Sequence, residues 1–188
     1  SKYKIKDCKY WSIFLHQNQG YLGRCIVWCN RKDALDLVDA TPEEQQELFI
    51  VLKELGGAIK KAFQPDWLNY TFLGNEARHL HGHFIPRYAK PKEFEGIVFK
   101  DELYGHNYKT DYNFSAPVEV MEKIRLKIKE VLGYIKRRNQ NPETQTSLVQ
   151  RTASAVPLMP PVSHRRFLNS TTAWSSRPIH GPSSPVFC

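Results

Sequence analysis

His79, His81 and His83 alternate along one short apolar segment, His79-Leu80-His81-Gly82-His83-Phe84-Ile85-Pro86-Arg87. On a β-strand successive side chains point to opposite faces, so this spacing predicts three imidazoles in a row on one face. Imidazole changes charge near neutral pH and can serve as acid, base, nucleophile or metal ligand. Three readings compete. In the plainest, the strand merely contains histidines, but three rings on one face are costly to desolvate together without partners. In the second, His-x-His on a strand forms a bidentate pair for zinc. In the third, one imidazole attacks phosphorus while its neighbours hold charge.

The elements that would position these rings are legible as periodicity. Trp11–Leu15 and Tyr21–Cys29 are rich in β-branched and aromatic residues, and Gln17-Asn18-Gln19-Gly20 between them reads as a turn, which predicts a hairpin. Thr41-Pro42-Glu43-Glu44 places Thr at an N-cap, Pro at the first helical position and Glu where a capping box needs it. Leu48, Leu52, Leu55, Ile59 and Phe63 follow at helical spacing, so a helix is expected from Pro42 to about Phe63, ending before Pro65. Trp67–Leu73 and His79–Arg87, joined by a short connector, are expected to pair antiparallel. Pro86 sits near the end of the second, where a missing ladder donor is tolerated. Further short strands are expected only around Gly96–Phe99. A second helix beginning near Pro117 carries Met121, Ile124, Ile128, Val131 and Ile135 on one stripe.

The chain has 188 residues, enough for one domain with a real core and too few for two comfortable ones. The expected fold class is α+β: an antiparallel β-sheet with a long central helix and a C-terminal helix over residues 1–138, followed by a disordered tail over 139–188. The tail is rich in Ser, Thr, Pro and Arg, and no apolar period survives in it. The net charge of +8 is uneven. Arg137–Cys188 holds six Arg, no Lys and one acid, or +5, which leaves +3 for Ser1–Lys136. The folded part is therefore close to balanced, and its charge does not argue for a nucleic-acid partner. No apolar run approaches a membrane span, so no membrane partner is expected. The start of the chain lacks the apolar stretch of a secretory signal, and a cytoplasmic setting is the expectation. Cys8, Cys25, Cys29 and Cys188 have no zinc-finger spacing; Cys25 and Cys29 read as free buried thiols.

The histidine segment resembles the signature of the histidine triad family, His-φ-His-φ-His-φ-φ with φ apolar, with Gly82 the one weak apolar position. Leu68-Asn69-Tyr70-Thr71-Phe72-Leu73-Gly74-Asn75 before it, Ile85-Pro86-Arg87-Tyr88 after it, Gly23-Arg24-Cys25-Ile26-Val27 and the Thr41-Pro42-Glu43-Glu44 helix entry extend the resemblance from about Trp11 to Arg87. The resemblance implies an α+β domain, often dimeric, that binds a small-molecule nucleotide and cleaves at the α-phosphate, by hydrolysis or by nucleotidyl transfer. It gives His81 the role of nucleophile through a covalent nucleotidyl-imidazole, with His83 donating to a phosphate oxygen or leaving group and His79 orienting His81. Asn75 and Asn69 become candidates for phosphate or ribose contact, and Phe14 and His16 for nucleoside contact. This chemistry requires no metal or other cofactor. Many members carry a fourth histidine where this chain has Asn30-Arg31-Lys32-Asp33, and the connector Gly74–Arg78 lacks the family's usual Gly-Gln-Ser/Thr run. The missing fourth histidine keeps open a catalytically weak nucleotide-binding sensor or adaptor, and the His-x-His spacing keeps open a zinc-dependent hydrolase using the same three rings as ligands.

Other residues have plainer readings. Arg87 reads as an exposed strand-end side chain, with phosphate pairing as the functional alternative. Trp11, Trp28 and Trp67 read as core. Tyr104 and His106 stand in the polar stretch after the triad, from which a loop could reach the site.

Overall fold

The computed structural model describes residues 2–140, and within them the α+β expectation is met. Five strands, β1 (Lys4–Asp7), β2 (Trp11–Leu15), β3 (Cys25–Cys29), β4 (Trp67–Thr71) and β5 (His81–Arg87), form one antiparallel sheet in the order β1-β2-β3-β5-β4. Helix α1 (Pro42–Phe63) joins β3 to β4. The strands β6 (Lys92–Phe94) and β7 (Ile97–Phe99) make a separate hairpin, and α2 (Val118–Gln140) follows. The hairpin turns on Glu95 and Gly96, both at positive φ (51° and 74°), the geometry a two-residue turn needs to match strand twist.

Helix α1 begins and ends where its sequence says. Thr41 Oγ1 accepts from the Glu44 N–H, and the Glu44 carboxylate accepts from the Thr41 N–H at 2.8 Å, so two orphan donors are satisfied reciprocally. Gln64 closes the helix in the left-handed conformation just before Pro65. Leu48, Val51, Leu55, Ala58, Ile59 and Phe63 bury one face of α1, and Met121, Ile124, Ile128 and Val131 bury the stripe of α2. The two helices pack on each other and against the same side of the sheet. Alternation then sorts the strands: Trp11, Ile13, Leu15, Cys25, Val27, Cys29 and Phe84 face the helices and are buried. Ser12, Phe14, Ile26, Trp28, His81 and His83 face the other way.

Several elements differ from expectation: β4 ends at Thr71 and not Leu73, and β6 (Lys92–Phe94) forms outside the stretch around Gly96–Phe99 where alone further short strands were expected. β3 starts at Cys25 and not Tyr21, because the Arg24 N–H turns back to the Tyr21 carbonyl (2.9 Å) and Gly23 sits at φ 81°. β5 starts at His81 and not His79, because the His79 N–H bonds the Ala77 carbonyl (2.9 Å) in a turn. β1 had no expectation: only Ile5 of its four residues is buried, and its lysines suit a sheet edge. At its far end α2 runs to Gln140, two residues past the expected boundary at 138; the rest of the expectation for 139–188 lies outside the described residues. Among the described residues, no helix is long and apolar enough to cross a membrane.

Candidate active site

β5 lies between β3 and β4, and its pairing decides which groups surround the histidines. His81 stands opposite Trp28, and His83 stands between Ile26 on β3 and Thr71 on β4. The two rings share the face away from the helices, with centroids 5.1 Å apart and planes at 74°. Gly82 between them faces Phe72: a Cβ built there would lie 2.6 Å from the Phe72 ring, so the weak apolar position of the signature is the one this ring requires to be empty.

His79 is not in that row. Its ring stacks on Trp28 (centroids 4.3 Å, 14°), and its Nε2 lies 2.7 Å from the Cys29 carbonyl oxygen. A carbonyl only accepts, so Nε2 carries the proton. The expectation of three imidazoles side by side is thus corrected to two, with the third held one turn earlier. His79 still reaches His81 through its backbone. The His81 Nδ1 lies 2.7 Å from the His79 carbonyl oxygen, which puts a proton on Nδ1 and, in the neutral ring, the lone pair on Nε2. Trp28 also stacks against the His81 ring at 5.2 Å. His81 is buried and locked in orientation.

A cleft of about 330 Å³ opens beside the pair, lined by His81, His83, His16, Arg24, Trp28 and Asn75, with Tyr108, Thr110 and Tyr112 across from them. His16 meets His83 at 5.8 Å between ring centroids, and its Nδ1 is 3.0 Å from the Asn18 N–H. Burial first, and the Arg24 charge second, lower the pKa of both His16 and His83 to about 4. Both rings are neutral at physiological pH. His83 Nδ1 is buried without a hydrogen-bond partner.

The far wall is held by Arg87, which is buried and not exposed as its sequence position suggested. Its Nε bonds Asp101 at 2.7 Å, and its Nη1 donates to the His106 carbonyl (2.8 Å) and to Asn69 Oδ1 (2.9 Å). The Tyr21 hydroxyl donates to the Lys109 carbonyl at 3.1 Å. These bonds fix the segment after β7 over the sheet, which is how Tyr108 and Thr110 reach the cleft. Asn69 is therefore occupied by Arg87 and lines a neighbouring trough with Trp67, Tyr104 and His106. Phe14, half-buried on β2 beside the Lys4 ammonium, does not line the histidine cleft either. Of the three tryptophans expected in the core, only Trp11 is there; Trp67 is 67 % exposed, and Trp28 is a platform for two imidazoles.

Sequence reasoning passed over Arg24, Trp28, Tyr108 and Thr110. The first two had a signal, since alternation along β3 places Arg24, Ile26 and Trp28 on the histidine face. The last two sit in an aperiodic segment and had none. Among the described residues no group of three or more His, Cys, Asp or Glu side chains is arranged to hold a metal ion, and His79 Nε2 and His81 Nδ1 are taken up by the Cys29 and His79 carbonyls. With His79 out of the row, the three rings do not fit the zinc-hydrolase alternative.

Comparison with known proteins agrees with this fold. The family model described as the HIT domain matches residues 2–90, which makes that segment a histidine triad domain. Among solved structures, a hypothetical histidine triad nucleotide-binding protein from Sulfolobus tokodaii shares 21 % identity at a TM-score of 0.56, covering 72 % of this chain and 87 % of its own. A HIT-like protein involved in cell-cycle regulation from Bartonella henselae shares 24 % identity at 0.51, covering 69 % and 85 %. The diadenosine triphosphate hydrolase of Plasmodium falciparum shares 16 % identity at 0.52, covering 71 % and 78 %. At these identities the likeness is one of fold. No curated protein matches the chain.

Proposed function

We propose that this protein is a nucleotide hydrolase or nucleotidyl transferase that cleaves at the α-phosphate of a nucleoside monophosphate derivative through a covalent intermediate on His81. The observation that carries the reading is the 2.7 Å contact from His81 Nδ1 to the His79 carbonyl, which in the neutral ring leaves the lone pair on Nε2, in a side chain that lines the cleft. In the first step the Nε2 lone pair forms a bond to phosphorus as the phosphorus–leaving-group bond breaks, and the leaving group departs with its electron pair. In the second, water or another acceptor attacks phosphorus, the nitrogen–phosphorus bond breaks, and the lone pair returns to Nε2. His83, 5.1 Å from His81, donates to a phosphoryl or leaving-group oxygen, and Asn75 offers an amide at the cleft rim.

A homodimer is part of the same reading. It is supported by the outer edge of β4, unpaired among the described residues, and by Phe49 and Tyr70, 72 % and 45 % exposed, beside an apolar groove of about 600 Å³. Light scattering on the full chain should give about twice 21.9 kDa. Cys8, Cys25 and Cys29 are free thiols, which suits a reducing, cytoplasmic setting. A panel of nucleoside phosphoramidates and dinucleoside polyphosphates, scored by release of nucleoside monophosphate, tests the activity. The His81→Ala variant should lose roughly a thousandfold or more of it. Undiminished turnover in that variant rules out His81 as nucleophile.

A further inference from the structure

Arg24 has no bonded counter-ion: the one carboxylate whose charge acts on it, Glu76 in the same cleft, forms no ion pair with it. Arg24 is only 3 % exposed, yet none of the ion pairs among the described residues includes it. Its Nη1 donates to the neutral Thr110 hydroxyl at 3.0 Å, its guanidinium carbon lies 5.5 Å from the Tyr108 ring centre, and its Nε is buried with no partner. A hydroxyl and a ring face compensate a buried charge weakly. The contrast with Arg87 is instructive: that guanidinium, equally buried on the same face, has the Asp101 carboxylate at 2.7 Å. Proteins seldom leave a guanidinium desolvated and unpaired unless something anionic arrives from outside.

The place it would arrive is the histidine cleft, which Arg24 lines together with His81 and His83. We propose that Arg24 binds the phosphoryl oxygens of the substrate, so that the cleft selects phosphorylated nucleosides over neutral ones by supplying a guanidinium that only an oxyanion completes. This deepens the function proposed above and rests on it for the identity of the ligand. The forked donors of a guanidinium match two oxygens of one phosphoryl group, which an ammonium cannot do. The same event would also relieve the histidines. The Arg24 charge disfavours protonation of His83, and a bound phosphoryl anion cancels that field beside the ring that must donate.

Calorimetric titration of the full chain with AMP, adenosine and inorganic phosphate tests the proposal. Wild type should bind AMP at least about tenfold tighter than adenosine. Arg24→Met should weaken AMP and phosphate by roughly ten- to a hundredfold while leaving adenosine unchanged, and Arg24→Lys should fall between. Equal affinity of wild type for AMP and adenosine overturns the proposal, as does an Arg24→Met protein that keeps the wild-type ratio. Should the methionine variant fail to fold, the Arg24→Lys ratio and the response of the Arg24 Nε–H resonance to phosphate in wild type decide it; no response overturns it. The two readings fail separately. Arg24-dependent phosphate binding without turnover of any substrate upholds Arg24 and sinks the hydrolase, whereas turnover untouched by Arg24→Met does the reverse.

Discussion

Mild acid should destabilise this fold before its carboxylates begin to titrate. His16 and His83 have an ordinary pKa of 6.5 and a value of about 4 in the folded chain. The unfolded chain therefore takes up protons on both rings below about pH 6.5 while the fold keeps them neutral. The stabilisation is complete above that pH and fades as pH falls toward 4, because the unfolded state binds more protons across the window. At about pH 5 linkage gives about 2 kcal/mol for each ring; solvent access to the cleft roughly halves this, to about 2 kcal/mol for the pair. Glu44, whose carboxyl is held below its ordinary 4.5 by Arg31, gives up its contribution at lower pH, so the window above about pH 5 isolates the histidines. Urea unfolding at steps from about pH 7.5 to 5 reads the effect, with His16→Gln and His83→Gln each flattening the curve. Stability unchanged across that window, or both rings titrating near 6.5 by NMR, refutes the assignment of two partly desolvated, Arg24-polarised rings.

Two further substitutions probe what holds the site in place. Gly82→Ala puts a methyl 2.6 Å from the Phe72 ring and should cost about 1–3 kcal/mol in chemical denaturation, with Phe72→Leu in the same chain recovering part of it. A neutral outcome would mean that Phe72 does not press on β5. Arg87→Leu leaves the buried Asp101 carboxylate without its cation and should cost about 3–5 kcal/mol. It should also open residues 101–114 to limited proteolysis, and Arg87→Leu combined with Asp101→Leu should regain most of the loss. A single variant within about 0.5 kcal/mol of wild type would show that the pair does not anchor the segment.

What the sequence disclosed and what it withheld divide along physical lines. Both helices were legible because their apolar stripes repeat over many turns, and α1 also carried its cap in Thr41 and Glu44. The pairing of β4 with β5 followed from a short connector. Residues whose partners are far along the chain were not legible: Arg87 looked like a strand-end charge because Asp101, fourteen positions on, lies in a stretch with no period. His79 kept the right spacing but lost its place on the strand to a turn that a two-residue alternation cannot reveal. Arg24 was visible on the histidine face from alternation alone. Its significance was not, since an unpaired buried charge is recognised only once its surroundings are known.

The most direct measurement of the central claim is mass spectrometry of protein rapidly mixed with a labelled nucleotide substrate, quenched, and digested under conditions that preserve phosphoramidate bonds. A nucleoside monophosphoryl group on the His81 imidazole, formed and discharged at the rate of turnover, is the expected result. Label on another residue, or none while product accumulates, contradicts it.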